Sequence, residues 1–388
     1  MASPGGTFLF SDEQQQLRAA VRKFCAENFS EPTVRALMES DTPFDPQVWH
    51  RLGSEIGALG MAVPENDGGV GGSLVDQAVA VEEFGAALAC GPLFGTVYLA
   101  IPALVACPGG PARDALLAAL IEGERTAAVA VADRAGAFEP AAVTLTATAG
   151  GTDVTISGSA ARVVDAGAAD HILVAARGPD GVGLYVVEGT DTQRTPLVTL
   201  DLTRPQAAVV FDGTPAQLLA GPGEAERVID HALQVAATLL AVEQVGAAQH
   251  LLDLSVDYAK SRLQFGRPIG SFQAVKHRLA DMLVDLEHAR STAYHAVWAL
   301  AAGSDDPALA ASIAQATCSA ALSRIAADAI QVHGGIGFTW EHQAHLYFKR
   351  ATTNAALLGN PEQHRSRVAE LVLDDAVAHA GAVSVATG

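Results

Sequence analysis

A segment rich in histidine and glycine near the C-terminus, residues 331–365, is the first place in this sequence where chemistry could concentrate. Its adjacent Gly334 and Gly335 would let the backbone approach a phosphate without interference from Cβ atoms. Its four histidines raise the alternative of a metal site, because His342 and His345 are three residues apart on a predicted helix. No carboxylate or cysteine completes an evident ligand set, so we predict no metal site and place both histidines on a solvated helix face.

The composition argues against several classes of protein. A chain of 388 residues with 49% hydrophobic residues predicts a globular protein of two or three domains. Its formal net charge of −19 argues against nucleic acid as a partner. The four cysteines are too widely spaced for a disulfide framework or a zinc site, which favours a reducing compartment. With no secretory signal and no apolar stretch near the ~20 residues of a spanning helix, we expect a soluble cytoplasmic protein that does not enter a membrane.

Three regions of the chain would have to position these groups. Helical periodicity predicts an N-terminal α-helical domain over residues 1–127, with Ser11 as the first N-cap. Short β-branched runs between turn residues predict a central antiparallel β-domain over residues 128–222. Long amphipathic segments predict a C-terminal α-helical domain over residues 223–388, in which Gly303 ends one helix. The predicted fold class is α+β, in the order helices, sheet, helices.

Three motifs in this order resemble the signatures of the acyl-CoA dehydrogenases. The R-x-x-F-G-x-x-I-x-x-F-Q pattern of that family appears at Arg262, Phe265, Gly266, Ile269, Phe272 and Gln273. The Q-x-x-G-G-x-G pattern appears at Gln331, Gly334, Gly335 and Gly337. The V-P-E-x-x-G-G-x-G-G pattern appears at Val63, Pro64, Glu65, Gly68, Gly69, Gly71 and Gly72. The resemblance covers almost the whole chain and implies the acyl-CoA dehydrogenase fold, in which the third domain is a four-helix bundle.

The resemblance also implies FAD as the cofactor, held partly in trans by a neighbouring subunit. The residues that it implies for cofactor binding are Arg262, Phe265, Gln273, Gln331, Gly334 and Gly335. A guanidinium suits this role because it is always charged and can donate two hydrogen bonds to one phosphate. His333, inside the glycine motif, is predicted to pack or to donate a hydrogen bond near the ligand. The polar and aromatic flavin contacts of the family's β-domain are replaced here by VADRAGAFEPAAV and GSAARVVDAGAAD, so we expect weakened flavin binding in cis.

The family reaction needs a carboxylate base, which relatives place at one of two positions. In this chain those positions hold Leu358, in ALLGNPEQ, and Ala236, and neither side chain can accept a proton. Two nearby carboxylates could take over the role. Glu243 is seven residues beyond Ala236 and so lies near the same helix face, whereas Glu362 is four residues past Leu358. We predict Glu243 as the base.

Three functions fit this pattern. The first is an FAD-dependent acyl-CoA dehydrogenase that desaturates an acyl-CoA or acyl-carrier thioester at the α,β bond. The second is a non-catalytic or half-site subunit of a hetero-oligomer, which supplies flavin contacts in trans to a related chain. The third is a flavin enzyme of the same fold with altered chemistry on a biosynthetic acyl thioester. The resemblance implies a homo- or hetero-tetramer in lipid or secondary metabolism, with an electron-transfer flavoprotein as acceptor if the chain is a true dehydrogenase.

Overall fold

The N-terminal region is helical, as predicted. The computed structural model describes residues 10–150, 153–303 and 305–385. Its first helices are α1 (Asp12–Asn28), α2 (Glu31–Met38), α3 (Pro46–Ser54), α4 (Leu74–Ala86), α5 (Ile101–Ala106) and α6 (Pro111–Ile121). A π-helical segment, Leu93–Ala100, leads directly into α5. The N-cap prediction is confirmed, because the Ser11 hydroxyl accepts a hydrogen bond from the Gln14 N–H while the Gln14 side chain accepts one from the Ser11 N–H.

The central region is a β-domain built around one seven-stranded sheet. Its strands are β1 (Ala127–Ala130), β2 (Asp133–Arg134), β3 (Ala137–Phe138), β4 (Thr146–Gly150), β5 (Asp153–Val164), β6 (His171–Gly178), β7 (Gly181–Glu188), β8 (Gln193–Pro196) and β9 (Gln206–Ala220). Most pairings are antiparallel, as predicted, but β1 and β4 both pair with β6 in parallel. The short strands β2 and β3 form a separate hairpin outside the main sheet.

The C-terminal region is the predicted helical bundle. It contains α7 (Glu224–Ser261), α8 (Gln273–Ala302), α9 (Pro307–His333), α10 (Ala344–Asn354) and α11 (Pro361–Val385). The four long helices form the bundle, with α9 packed against α7, α8 and α11. A small hairpin of β10 (Leu263–Gln264) and β11 (Arg267–Pro268) joins α7 to α8. Gly303 ends α8 in the left-handed conformation, as predicted.

Helix α7 is the core element that the helical domains share. It is long and apolar enough to cross a membrane, but 83% of its most apolar stretch is buried inside the protein. It packs against α4, α8, α9 and the π-helical segment, and it also contacts β3 of the β2–β3 hairpin. Gly85 of α4 and Gly246 of α7 allow these two helices to touch, because a Cβ on Gly246 would lie 1.8 Å from the Glu82 carbonyl oxygen. The face of α7 beside this crossing carries the predicted base.

Candidate active site

Glu243, the predicted base, lies at the centre of a buried ion cluster that links all three regions. One carboxylate oxygen accepts hydrogen bonds from Arg204, at 2.5 Å, and from the Tyr98 hydroxyl, at 2.9 Å. The other accepts from Arg350, at 2.9 Å, and from the Asn354 amide, at 3.1 Å. Glu243 is 1% exposed, and its four partners are also buried. Each oxygen therefore already accepts two hydrogen bonds from fixed donors.

The same cluster anchors the segment that enters β9. Arg350 also donates to the Asp201 carboxylate, at 2.8 Å, and to the Thr203 hydroxyl, at 2.6 Å. Arg204 donates to the Asn354 side-chain oxygen at 2.8 Å. Two arginines thus face two carboxylates, so the buried charges balance. One signal in the sequence could have pointed to this cluster: Arg350 and Asn354 recur at helical spacing with the buried residues of α10.

This environment argues against Glu243 as the catalytic base. Burial alone would raise the pKa of its carboxyl group, but the charges of Arg204 and Arg350 and their hydrogen bonds lower it to about 2. A carboxylate with so low a pKa is a weak base, and its lone pairs are already occupied. Helical spacing from Ala236 placed Glu243 near the right face, but it contained no information on partners from other regions. We infer that Glu243 serves as a structural ion.

The usual base position at Leu358 is packed against the β2–β3 hairpin. Leu358 is buried in the apolar core and has a positive φ of 56°. A Cβ on Gly359, the next residue, would lie 2.6 Å from the Ala135 Cα, so the two backbones touch. A Cβ on Gly136, in the turn of the hairpin, would lie 3.7 Å from the Leu358 carbonyl oxygen and 3.8 Å from the Ala237 Cβ. The hairpin therefore occupies the space next to Leu358 and to α7.

The remaining candidates near this position do not supply a base. Ala236, the second base position, is fully buried in the core. Glu362 is exposed at the start of α11 and pairs with Arg365, as expected of a solvated acid that favours a helix N-terminus. His364 is buried, and its Nε2–H donates to the Leu358 carbonyl oxygen at 2.8 Å. Burial lowers the pKa of His364 to about 4, so this imidazole is neutral at physiological pH and fixes the Leu358 loop.

The residues predicted to bind the cofactor lie on two exposed segments at one end of the bundle, which we call the flavin-support surface. One segment, between α7 and α8, carries Arg262, Phe265 and Gln273, all exposed. Phe265 is 91% exposed and has a positive φ of 53°. The other segment consists of the last turn of α9 and the glycine turn after it, and it carries Gln331, Gly334 and Gly335, also exposed. Within the described residues, no atom lies within 4 Å of a Cβ placed on Gly334 or Gly335, so their backbone is open to a ligand.

Three neighbouring rings, tilted by 34° and 44° to one another, connect these two segments, and we call them the ring stack. The Tyr258 ring, on α7, lies 4.5 Å from the His333 ring, which precedes Gly334. The His342 ring lies 4.2 Å from His333, between centroids. His342 and His345 are both half-buried, so the prediction that they lie on a solvated helix face is wrong. Along the described chain, no group of three or more histidine, cysteine or acidic side chains is arranged to hold a metal ion.

The flavin-support surface and the ion cluster are separate places in the molecule. Glu243 lies ~27 Å along α7 from Ser261, the end of the helix that precedes Arg262, at a rise of ~1.5 Å per residue. The structure therefore brings the six predicted cofactor residues to one end of the bundle and leaves the predicted base far from it. Arg262 makes no ion pair with any described residue, so its guanidinium is available to an anionic ligand.

Comparison with known proteins gives the same family for both ends of the chain. The profile for "Acyl-CoA dehydrogenase, N-terminal domain" matches residues 11–124, and that for "Acyl-CoA dehydrogenase, C-terminal domain" matches residues 226–373. The chain is 37% identical to the acyl-CoA dehydrogenase IpdE2 of Mycolicibacterium smegmatis, over 92% of this chain and 98% of that protein. Among solved structures, a Tcur3481–Tcur3483 steroid ACAD variant is 31% identical with a TM-score of 0.83, over 94% of this chain and 99% of that one. The ChsE4–ChsE5 complex of Mycobacterium tuberculosis is 26% identical with a TM-score of 0.84, over 95% and 99%.

Proposed function

Because this chain belongs to the acyl-CoA dehydrogenase family of FAD-dependent oxidoreductases, we propose that it is one subunit of a hetero-oligomeric enzyme that desaturates an acyl thioester. In this enzyme a related chain carries the catalytic base, and this chain supplies flavin contacts in trans. The proposal rests on the residues that occupy the two positions where relatives carry the base. Leu358 and Ala236 have no group that accepts a proton, and Glu243 is held in an ion cluster.

The reaction explains why these positions decide the function. FAD, when bound, accepts the hydride that leaves the β-carbon, while a protein base removes the α-proton. Removal of that proton requires an available carboxylate at the α-carbon. In this chain the hairpin turn at Ala135 and Gly136 packs directly on the Leu358–Gly359 loop, so the loop is part of the apolar core. The proton-abstracting half of the reaction therefore belongs to another chain.

The flavin-support surface favours a role in trans. Arg262 can bind a phosphate with two hydrogen bonds, and the open backbone at Gly334 and Gly335 can approach the pyrophosphate of FAD. Leu358 and Ala237 both lie beside Gly136 of the β2–β3 hairpin, and Ala237 is ~36 Å along α7 from the end of the helix at ~1.5 Å per residue. One chain thus holds its phosphate contacts and its base position far apart, which suits a flavin bound between two chains.

The solved relatives support a hetero-oligomer. The Tcur3481–Tcur3483 and ChsE4–ChsE5 structures are each named for a pair of proteins, and this chain matches them over almost its whole length. A pair of related chains would provide one subunit with a base and one without. This chain has the features of the second kind of subunit.

The solved relatives and the reaction suggest which substrate and which electron acceptor to test first. The 31% identical structure is that of a steroid ACAD, which makes a steroid-derived acyl-CoA the first substrate to test. An electron-transfer flavoprotein is the first acceptor to test, because it would reoxidise the flavin of a dehydrogenase. The composition of the chain and the burial of α7 support a cytoplasmic location for the enzyme.

The decisive experiment compares the chain alone with the chain in its complex. A tagged copy is isolated from native cells, the related chain that co-purifies is identified, and the two are expressed together. We expect the chain alone to lack flavin absorbance and dye-reducing activity, and the complex to show both. A glutamate at the partner's position equivalent to Leu358, and loss of activity when it becomes glutamine, would complete the assignment. Flavin-dependent turnover by this chain alone would overturn it.

A matched pair of variants tests the role in trans. Arg262→Ala should lower the flavin content of the complex, because it removes the charged donor of the flavin-support surface. Arg125→Ala is the control, since Arg125 is also an exposed arginine but pairs with Asp170 in the β-domain. Equal flavin content in the two variants would show that FAD does not bind at this surface.

A further inference from the structure

The ring stack of Tyr258, His333 and His342 is the part of the flavin-support surface whose geometry can respond to pH. His333 is 3% exposed, and its Nδ1–H donates to the Ala329 carbonyl oxygen of α9 at 2.7 Å. Its Nε2 is buried and has no hydrogen-bond partner among the described residues. The centroid of its ring lies 4.5 Å from that of Tyr258 and 4.2 Å from that of His342, and the ring planes are tilted by 34° and 44°. A buried ring with one unsatisfied nitrogen, directly before the glycine turn, calls for an explanation.

The stack fixes where the glycine turn lies relative to Arg262. On one side, Tyr258 accepts a hydrogen bond from the Arg262 N–H through its carbonyl oxygen, at 2.8 Å. On the other side, the turn after His333 folds back on it, because a Cβ on Gly337 would lie 2.9 Å from the His333 Cβ. His333 thus lies between the backbone that presents the guanidinium and the backbone that presents Gly334 and Gly335. A shift of its ring would change the spacing of the two phosphate contacts.

We propose that His333 is a positioning residue for the cofactor, and that its stack with Tyr258 and His342 holds only while both histidines are uncharged, so that flavin support in trans weakens in acid. This inference rests on the proposed function, since it assumes that FAD binds at the flavin-support surface. It adds a residue and a condition that the family motifs do not contain: Arg262 and the glycines make the contacts, and the imidazole stack sets the distance between them.

The charges around the stack determine the sign of the pH effect. Burial lowers the pKa of His333 below 6.5, although the Ala329 and Leu254 carbonyls oppose the change. Burial and then the charge on His333 lower the pKa of His342, which Glu31 of α2 raises and His345 of α10 and Arg35 of α2 lower. Both rings are therefore neutral above pH 6.5 and become charged only as the pH falls below it. Two imidazolium rings this close repel each other, so acid opens the stack.

The test uses the complex with its partner chain and measures the dissociation constant for FAD by flavin fluorescence, from about pH 8 to about pH 5. We compare the wild type with His342→Phe, which keeps a stacked ring that cannot be protonated, and with His342→Ala, which removes the ring. His288→Ala is the control, because His288 is an exposed histidine on α8 away from the stack. Circular dichroism and the size of the complex at each pH show whether a variant is folded and assembled.

The expected pattern separates positioning from a merely structural role. For the wild type and His288→Ala, FAD affinity should fall about tenfold across the range, because the two rings become charged and repel each other in acid. His342→Phe should bind FAD as the wild type does at pH 8 and lose the acid response. His342→Ala should bind FAD about tenfold more weakly at pH 8 and also lose the acid response, so it decides the question if the Phe variant fails to assemble.

Three further outcomes have distinct meanings. If wild type and both His342 variants show the same pH dependence while FAD binds well at pH 8, the positioning role is overturned and the proposed function stands. If the wild-type complex binds no FAD at pH 8, the proposed function and this inference fall together. A His333→Asn variant that binds FAD with unchanged affinity at pH 8 would also contradict the positioning role.

Discussion

Replacing Glu243 by glutamine should destabilise the fold and not act as the loss of a catalytic base. The variant keeps the size of the side chain but removes the charge that Arg204 and Arg350 share. The pKa of Glu243 falls from its ordinary value of 4.5 to about 2, which corresponds to about 3 kcal/mol of stability at neutral pH. Mutational studies of buried ion pairs independently show that removal of one member costs ~3–5 kcal/mol. The two figures agree, so we expect a loss of about 3 kcal/mol.

The assay is equilibrium unfolding in urea, followed by circular dichroism, for the wild type, Glu243→Gln and Glu226→Gln. Glu226 is the matched control, because it is an exposed glutamate on the same helix. The double variant Glu243→Gln/Arg204→Met should lose less stability than the sum of its single variants, by ~1–3 kcal/mol, because the second change removes a charge that the first leaves unpaired. The contribution of Glu243 should be complete above pH 4.5 and disappear as the pH falls toward 2.

One combination of results would refute this reasoning. If Glu243→Gln unfolds at the same urea concentration as the wild type, the ion cluster does not stabilise the chain as its geometry indicates. If in addition the folded variant loses turnover in the complex, Glu243 is a catalytic base after all. A structural ion predicts the reverse, with reduced stability and unchanged chemistry per folded complex.

Three other predictions concern the Leu358 loop and the hairpin that packs on it. Gly359→Ala should cost about 2 kcal/mol or more in urea unfolding, because the new Cβ meets the hairpin backbone and φ is 97°, whereas Gly109→Ala, with open space around it, should change little. Burial of His364 lowers its pKa from 6.5 to about 4, so the folded chain should lose up to about 3 kcal/mol of stability in acid. The contribution of His364 is complete above pH 6.5 and is lost as the pH falls toward 4. His364→Asn should flatten this part of a curve of unfolding free energy against pH. A chain with Leu358→Glu should remain inactive alone in a dye-reduction assay, because the new carboxylate faces the packed hairpin; turnover would show that the loop opens readily.

The sequence predicted the elements well because local patterns determine them. Ser11 and Gly303 supply a cap and a stop whose chemistry depends only on neighbouring residues, and both act as expected. The parallel pairing of β1 with β6 was missed, because strand direction depends on how the chain enters the sheet and not on the strand's own residues. The family resemblance was correct for the same reason as the caps, since its motifs are short and contiguous.

The role of Glu243 could not be read from the sequence because its partners come from three other segments. Tyr98, Arg204 and Arg350 are separated from it by 145, 39 and 107 residues. Helical periodicity reports which residues share a face of α7, but it contains no information on the guanidinium groups that approach that face. The stack of His333 was missed in the same way, since Tyr258 and His342 lie on different elements.

The ion cluster around Glu243 does more for the proposed subunit than stabilise its fold. Well-packed apolar residues often stabilise a core as much as buried ion pairs do, so the cluster is not required merely to keep the chain folded. Hydrogen bonds of fixed direction define the relative positions of segments more strictly than apolar contacts do. The donors of Arg350 and Arg204 are satisfied in only one arrangement of the segment before β9, α7 and α10, because each N–H points in a fixed direction. Helix α7 in turn ends at Arg262. A subunit whose task is to present a rigid phosphate-binding surface to another chain gains from such a fixed frame.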